Sequence, residues 1–272
     1  ETVFATVDTE RARDVDDCMA RMLDGDDRYR YSVAWIDCIA SGAQLGRSVL
    51  TRGNHAKLDE LSPKQRARAR EFAPRAVASA PPWVPGGLLN PLSVRAFNEM
   101  WFRKAPREKR GEIQSLTAFF HPLDGVIGWN RIYGPRGFVQ YQYVVPYGAE
   151  GVVRTTLEQL SAASCASFLA VLKRFEHTSH GLLGFPARGW TLALDIPAAS
   201  GGLEPLLDGL DDLVVEAGGR VYLTKDSRLR PELVRAMYPQ LDRWREVRAG
   251  LDPHHALRSD MDRRLDLSGG TP

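Results

Sequence analysis

The stretch GFVQYQYVVP, Gly137 to Pro146, reads as a β-strand with two unlike faces. Side chains in a strand alternate in direction, so Val139, Tyr141, Tyr143 and Val145 share one side while Phe138, Gln140, Gln142 and Val144 share the other. One face is apolar and aromatic; the other carries amides. A buried amide without a partner costs roughly 1–3 kcal/mol, so something polar is expected opposite Gln140 and Gln142.

Outward from that strand, the pattern alternates between strands and helices. Val15, Cys18, Met19 and Met22 fall at i, i+3, i+4 and i+7, which predicts an amphipathic helix from Glu10 to Leu23, closed by Asp24-Gly25. YRYSVAWID (29–37) is predicted as a strand with Tyr29, Tyr31, Val33, Trp35 and Asp37 on one face, and a second strand runs from Gly46 to Arg52. SPKQRARAR (62–70) is a short basic helix or solvated turn, and PRAVASAPPWVPGG after it is irregular because of its prolines. Downstream lie a helix near Arg154 to Ala163 and strands in ASFLAVLKRF and GWTLALDIP. GLEPLLDGLDDLVVEAGG is the clearest helix, with Leu203, Leu206, Leu207, Leu210, Leu213, Val214 and Ala217 in one stripe and Gly218 as its stop. A strand RVYLTK follows, and everything from Pro231 is helical, with breaks at Pro239 and Pro253. Antiparallel-type strands interrupted by helices predict an α+β fold.

Composition excludes several classes. Thirty-six Lys and Arg against 34 Asp and Glu leave a net charge of +2, so no global field points to nucleic acid. Three scattered cysteines (Cys18, Cys38, Cys165) form neither a zinc nor a disulfide pattern and are expected to be small buried residues. The apolar runs fall short of the roughly 18 residues of a membrane span. His177/His180 and His254/His255 lack the partners or spacing of a metal site, and the Asp pairs at 16/17, 26/27 and 211/212 look like solvated faces. Nucleophile-elbow, zincin and Walker motifs are absent from the sequence.

What remains is a set of polar or small residues on single strand faces: Gln140 and Gln142, Ser167 and Lys173, Thr191 and Ala193. Converging, they would wall a pocket. Tyr222 and Lys225 in VYLTKDSR add a phenol and an ammonium near a strand end.

The long segments HPLDGVIGWNRIYGPRGFVQYQYVVP, FLAVLKRF, GWTLALDIP and GGRVYLTKDSRLRPELVRAMYPQLDRWREVRAGLDPHHALRSDMDRRL resemble, in this order and over essentially the whole chain, the decaprenylphosphoryl-β-D-ribose 2-oxidase family of vanillyl-alcohol-oxidase-type flavoproteins. The resemblance implies a substrate-binding domain over residues 1–217, an antiparallel sheet flanked by helices, and a helical segment, 218–272, that returns to an FAD-binding domain whose N-terminal half would lie upstream. The opening ETVFATVD, without Met, fits a chain that begins inside a longer protein.

The same resemblance implies FAD as cofactor and oxidation of C2 of a polyprenyl-phosphoryl ribose to the 2-keto sugar, which a partner reductase would convert to an arabinose donor for cell-wall arabinan. Lys225 would be the catalytic charge stabiliser; Tyr222, Lys225 and Gln142 would bind the cofactor. Gln140, Gln142, Lys173, Thr191 and Ala193 would contact substrate. Leu123 and Trp129 would cover the site and meet the lipid, and Trp35 would be pocket wall or core. No metal or nucleic acid is implied; peripheral contact with one face of the cell membrane is, since the substrate is a lipid. Thr191 and Ala193 stand where familiar members carry Asn and Cys, and Phe120 where they carry Tyr. Inhibitors that rely on that thiol are therefore expected not to attach here. The competing expectations are a related oxidase of a soluble sugar or alcohol, and a non-catalytic binding module.

Overall fold

The computed structural model describes residues 2–74, 76–165 and 167–269. By contacts the chain forms two units: Glu1–Val139, Leu160–Leu172 and Asp195–Ser200 make the first, and Gln140–Gln159, Lys173–Leu194 and Gly201–Pro272 the second. These divisions follow compactness rather than the sequence boundary expected after residue 217.

The first unit starts with strand β1 (Phe4–Ala12), helix α1 (Val15–Gly25), β2 (Tyr31–Ile36) and β3 (Ser48–His55). A four-residue helix, α2 (Pro63–Arg66), and the two-residue β4 (Ala78–Ser79) lead to α3 (Pro91–Lys104), β5 (Glu108–Ser115), α4 (Leu116–Phe120) and the short β6 (Val126–Ile127). β1 pairs antiparallel with β3 and β5, and β2 with β3. Glu10, Arg11 and Ala12 belong to β1 and not to the predicted helix, because their register with Leu50, Val49 and Ser48 continues to the strand end. The helix begins only where Asp14 caps it, accepting the Asp17 N–H at 2.8 Å. Pairing across the sheet overrides the local helical period here.

Among the elements that the sequence reading did not assign are α3 and β5. α3 carries a Pro at its first turn and Asn90 as N-cap, accepting from the Leu92 and Ser93 amides. β5 is half charged and mostly exposed, as suits a strand at the end of the β8-β2-β3-β1-β5 order.

The second unit is built on the Gln140–Pro146 part of β7 (Phe138–Pro146), with α5 (Glu150–Ala162), β8 (Leu169–Phe175), β9 (Gly189–Pro197), α6 (Leu203–Glu216), β10 (Arg220–Val221), α7 (Pro231–Met237), α8 (Leu241–Leu251) and α9 (Asp260–Leu265). α5, β8 and β9, like β7, are divided between the units. β9 lies between β7 and β8, and β10 pairs antiparallel with β7 on the other side. Helices and antiparallel sheet together make the α+β architecture that the pattern predicts. Trp190 on β9 is fully buried and donates its indole N–H to Glu150 at 2.9 Å. Gly189 allows β9 this close: a Cβ there would fall 2.0 Å from the Val145 carbonyl oxygen. Gly218 ends α6 at φ +72°, the left-handed position glycine takes most easily.

The aromatic face of β7 packs as its alternation requires. Tyr143 is fully buried, with its hydroxyl 2.9 Å from that of Thr156 on α5, which in turn donates to the Val152 carbonyl. Tyr141 donates to Asp211 on α6 at 3.0 Å. Asp211 is thus no solvated residue: it is 0% exposed and also receives Arg228 at 2.8 Å, while its neighbour Asp212 stays at the surface with Arg230. Burial holds the Asp211 pKa above the ordinary carboxylate value although Arg228 pulls it down. Cys18, Cys38 and Cys165 are buried thiols, as expected.

Removing the Asp211 carboxylate strands Tyr141 and one arm of Arg228 in the interior. Asp211→Ala is expected to destabilise the protein by about 3 kcal/mol in urea unfolding, the low end for a broken buried pair because Asp208 still holds Arg228. Asp212→Ala should cost less than about 0.5 kcal/mol; equal losses would contradict the distinction.

Candidate functional site

The antiparallel register between β10 and β7 builds the site. Arg220 lies opposite Val144 and Val221 opposite Tyr143, and one residue on, the Tyr222 N–H donates to the Gln142 carbonyl at 2.8 Å. Tyr222 therefore shares the face of Gln142 and Gln140. The strand predicted for RVYLTK stops there: Leu223–Lys225 is a turn of 3₁₀ helix, and Asp226 bends the chain by accepting the amides of Arg228 and Leu229. The Arg264 guanidinium closes on the other Asp226 oxygen. Lys225 is thereby presented on a fixed turn rather than along a strand.

On the opposite side of β7, Thr191 of β9 meets Gln142. The Gln142 amide donates to the Thr191 hydroxyl at 3.0 Å, with Gln142 8% and Thr191 1% exposed. The polar partner expected for Gln142 is therefore, in part, a protein side chain. Ala193, two residues along β9, is half-buried, as is Gln140. Lys173 on β8 is exposed. Ser167, expected on the face of Lys173, lies before β8, buried, with its hydroxyl bonded to the Leu169 carbonyl. It belongs to the turn into the strand.

Lys173 and Lys225 carry the electrostatics. The surrounding protein, and then the like charge of Lys225, hold the Lys173 pKa below the usual lysine value. Among the described residues neither lysine has an acidic partner within ion-pair distance, although ion pairs are frequent in this chain. Two like charges held together without a counter-ion favour an anion or an electron-accepting group beside them. Tyr222 frames the same region: its ring stacks on Phe185 with centroids 4.4 Å apart, and its hydroxyl has no protein hydrogen-bond partner among the described residues. Phe185 was not singled out from sequence; a lone aromatic in HGLLGFPARG gives no periodic signal.

Trp35, Leu123 and Trp129 belong to the first unit. The Trp35 indole N–H donates to the Phe168 carbonyl at 3.1 Å. Trp129 packs with Tyr133 and Phe138 against a buried cluster of Ile39, Val94 and Phe168, and Leu123 is half-buried in a 3₁₀ turn, Pro122–Gly125. Phe120 contacts Tyr31 and Phe119 edge-on.

Lys225→Met removes the like charge and is expected to raise the Lys173 pKa. The ¹³C shift of reductively methylated Lys173, followed against pH, should titrate at higher pH in the variant; an unmoved midpoint would show that the two ammoniums do not interact.

No protein-family model matches the sequence. The chain is 43% identical over 266 residues to an uncharacterised protein encoded in the 5′ region of mprA in Streptomyces coelicolor, covering 94% of this chain and 71% of that protein. It is 38% identical over 268 residues to decaprenylphosphoryl-β-D-ribose oxidase of Mycolicibacterium smegmatis, covering 98% of this chain but 58% of the oxidase. Among solved structures, FgChi7B and the xylooligosaccharide oxidase of Myceliophthora thermophila share the fold, each at TM-score 0.50 over 93% of this chain and 53% of theirs, with 9% and 10% identity. The chain thus belongs to one family with the Streptomyces coelicolor protein and is, over nearly its whole length, a homologue of an oxidase of which it spans somewhat more than half.

Proposed function

We propose that this chain is the substrate-binding part, with a C-terminal segment of the cofactor domain, of an FAD-dependent oxidase that converts the C2 hydroxyl of a polyprenyl-phosphoryl ribose to the 2-keto sugar. The observation that carries the reading is the pair of interacting ammoniums, Lys173 and Lys225, which have no carboxylate partners among the described residues. Similarity to decaprenylphosphoryl-β-D-ribose oxidase over 98% of the chain supports it.

The residues present fit a flavin ring and a phosphosugar. Bound FAD would supply the hydride acceptor. Lys225, on its fixed turn, would hold a positive charge where negative charge accumulates during oxidation. Lys173 would take the phosphate or a sugar oxygen. The Tyr222 hydroxyl, without a protein partner among the described residues, would donate to the cofactor, and Gln142, oriented by Thr191, would keep its remaining amide capacity for ring or ribose. Gln140 and Ala193 would complete the wall, with Ala193 making room and offering no thiol. The product would pass to a reductase that acts on the 2-keto group. Among the described residues no helix is long and apolar enough to cross a membrane.

One observation favours a second substrate within the same chemistry. Thr191 accepts the Gln142 amide with its hydroxyl oxygen and is 1% exposed, and Ala193 offers no polar side-chain atom, so the sugar-facing wall suits a sugar with fewer hydrogen-bonding demands at that point. A soluble sugar or alcohol is the alternative.

The test uses the full-length protein. Bound flavin should be reduced by polyprenyl-phosphoribose and not by free ribose or oligosaccharides. Lys225→Met is expected to lower kcat by about 10²–10³-fold with flavin content retained. Reduction by free sugars alone would establish the alternative, and a full-length protein that binds the phosphosugar but no flavin would be a binding module.

A further inference from the structure

Lys173 on β8 and Lys225 just beyond β10 come from strands that are not neighbours: β9 and β7 lie between them, a span of about 14 Å at ordinary strand spacing. A row of aromatic rings crosses that span. Phe175, two residues from Lys173, meets the Phe185 ring edge-on with centroids 5.9 Å apart, and Phe185 stacks on Tyr222 at 4.4 Å with the planes 24° apart. Both are attractive arrangements of aromatic rings. Phe185 is 5% exposed, so it links the row without offering a surface to a ligand.

The loop from Glu176 to Arg188 is tied down so that Phe185 reaches Tyr222. Ahead of the ring, the Gly184 N–H donates to the Gly181 carbonyl at 2.8 Å, and a Cβ on Gly184 would fall 2.4 Å from the Ser179 hydroxyl oxygen. Behind the ring, the Ser179 N–H donates to the Pro186 carbonyl at 2.8 Å. Arg220 on β10 donates to the Gly184 carbonyl at 3.1 Å, so the successive loop residues Gly184 and Phe185 dock on Arg220 and Tyr222, which stand at i and i+2. A loop this long inside a compact unit is commonly a functional one. Tyr222 passes the constraint on: its carbonyl accepts the Lys225 N–H at 3.0 Å and so closes the turn that carries that lysine.

We infer that Phe185 is a positioning residue, which sets Tyr222 and the turn of Lys225 at a fixed distance from the strand of Lys173. An apolar filler at this place would need only volume. Two ring contacts in preferred geometry, one to β8 and one to the residue after β10, and a loop anchored on both sides of the ring fix direction as well. What Tyr222 and Lys225 do once positioned rests on the oxidase reading, whereas the row that positions them rests on the contacts alone.

The test uses the full-length protein with Phe185→Leu, which keeps an apolar side chain without the ring, and Phe185→Tyr, which keeps the ring. In the cofactor-free protein the ¹³C titration midpoint of methylated Lys173 should rise by about half a pH unit in Phe185→Leu, because the two ammoniums drift apart, and stay within about 0.1 of the parent in Phe185→Tyr. With Lys225→Met already present, Phe185→Leu should produce no such rise. With flavin added, Phe185→Leu should weaken flavin affinity about fivefold in the parent background and less than about twofold beside Tyr222→Phe. An unmoved Lys173 midpoint, an equal rise with Lys225→Met present, a Phe185→Tyr variant that behaves like Phe185→Leu, or an equal loss of flavin affinity with and without Tyr222→Phe would overturn the inference. A parent that binds no flavin, with the Lys173 titrations as expected, would count against the oxidase reading alone.

Discussion

The hydrogen bond from the Tyr222 amide to the Gln142 carbonyl extends the β10–β7 register by one residue, and the second unit's chemistry depends on it. That register places Tyr222 on the amide face of β7 and starts the 3₁₀ turn that carries Lys225. A slip of one residue would turn Tyr222 toward the buried tyrosine face and carry Lys225 with it. Asp226 and Arg264 lock the turn from below, and Arg228, bound to Asp208 and the buried Asp211, ties the following residues to α6. The acidic residues here hold the frame, while the two nearby lysines have no acidic partners among the described residues.

That division of labour gives the site its character. Burying a carboxylate such as Asp211 is costly, and its raised pKa shows that Arg228 does not fully repay the desolvation. The return is positional: Tyr141, Arg228 and the turn that follows are fixed relative to β7. Lys173 and Lys225 are also held at a cost, since like charges repel, and a bound anion or reduced ring would relieve it. Ligand binding and stability are then linked, because whatever neutralises the pair stabilises the fold that presents it.

The amide and tyrosine faces of β7 were legible because a period of two is a strong signal when both faces are chemically distinct. β9 and α6 were legible for similar reasons: nine and fourteen residues of regular pattern bounded by Gly or Pro. Asp211 was misread because adjacent acids look solvated in sequence, and the facts that bury it, Tyr141 and Arg228, lie 70 and 17 residues away. The end of the RVYLTK strand was equally invisible, for Asp226 and an arginine 38 residues on impose it. Gln142 illustrates the remaining limit. Its need for a partner could be read from the strand, but that Thr191 answers part of that need follows only from which strand lies next to β7.

Lys173 and Lys225 are held against their mutual repulsion. A double-mutant cycle measures this directly: urea unfolding of the cofactor-free full-length protein at low ionic strength, with Lys173→Met, Lys225→Met and both. Each single substitution is expected to stabilise the protein and the second to add little once the first is made, a coupling that shrinks in high salt. Additive effects, with no coupling at either ionic strength, would contradict it.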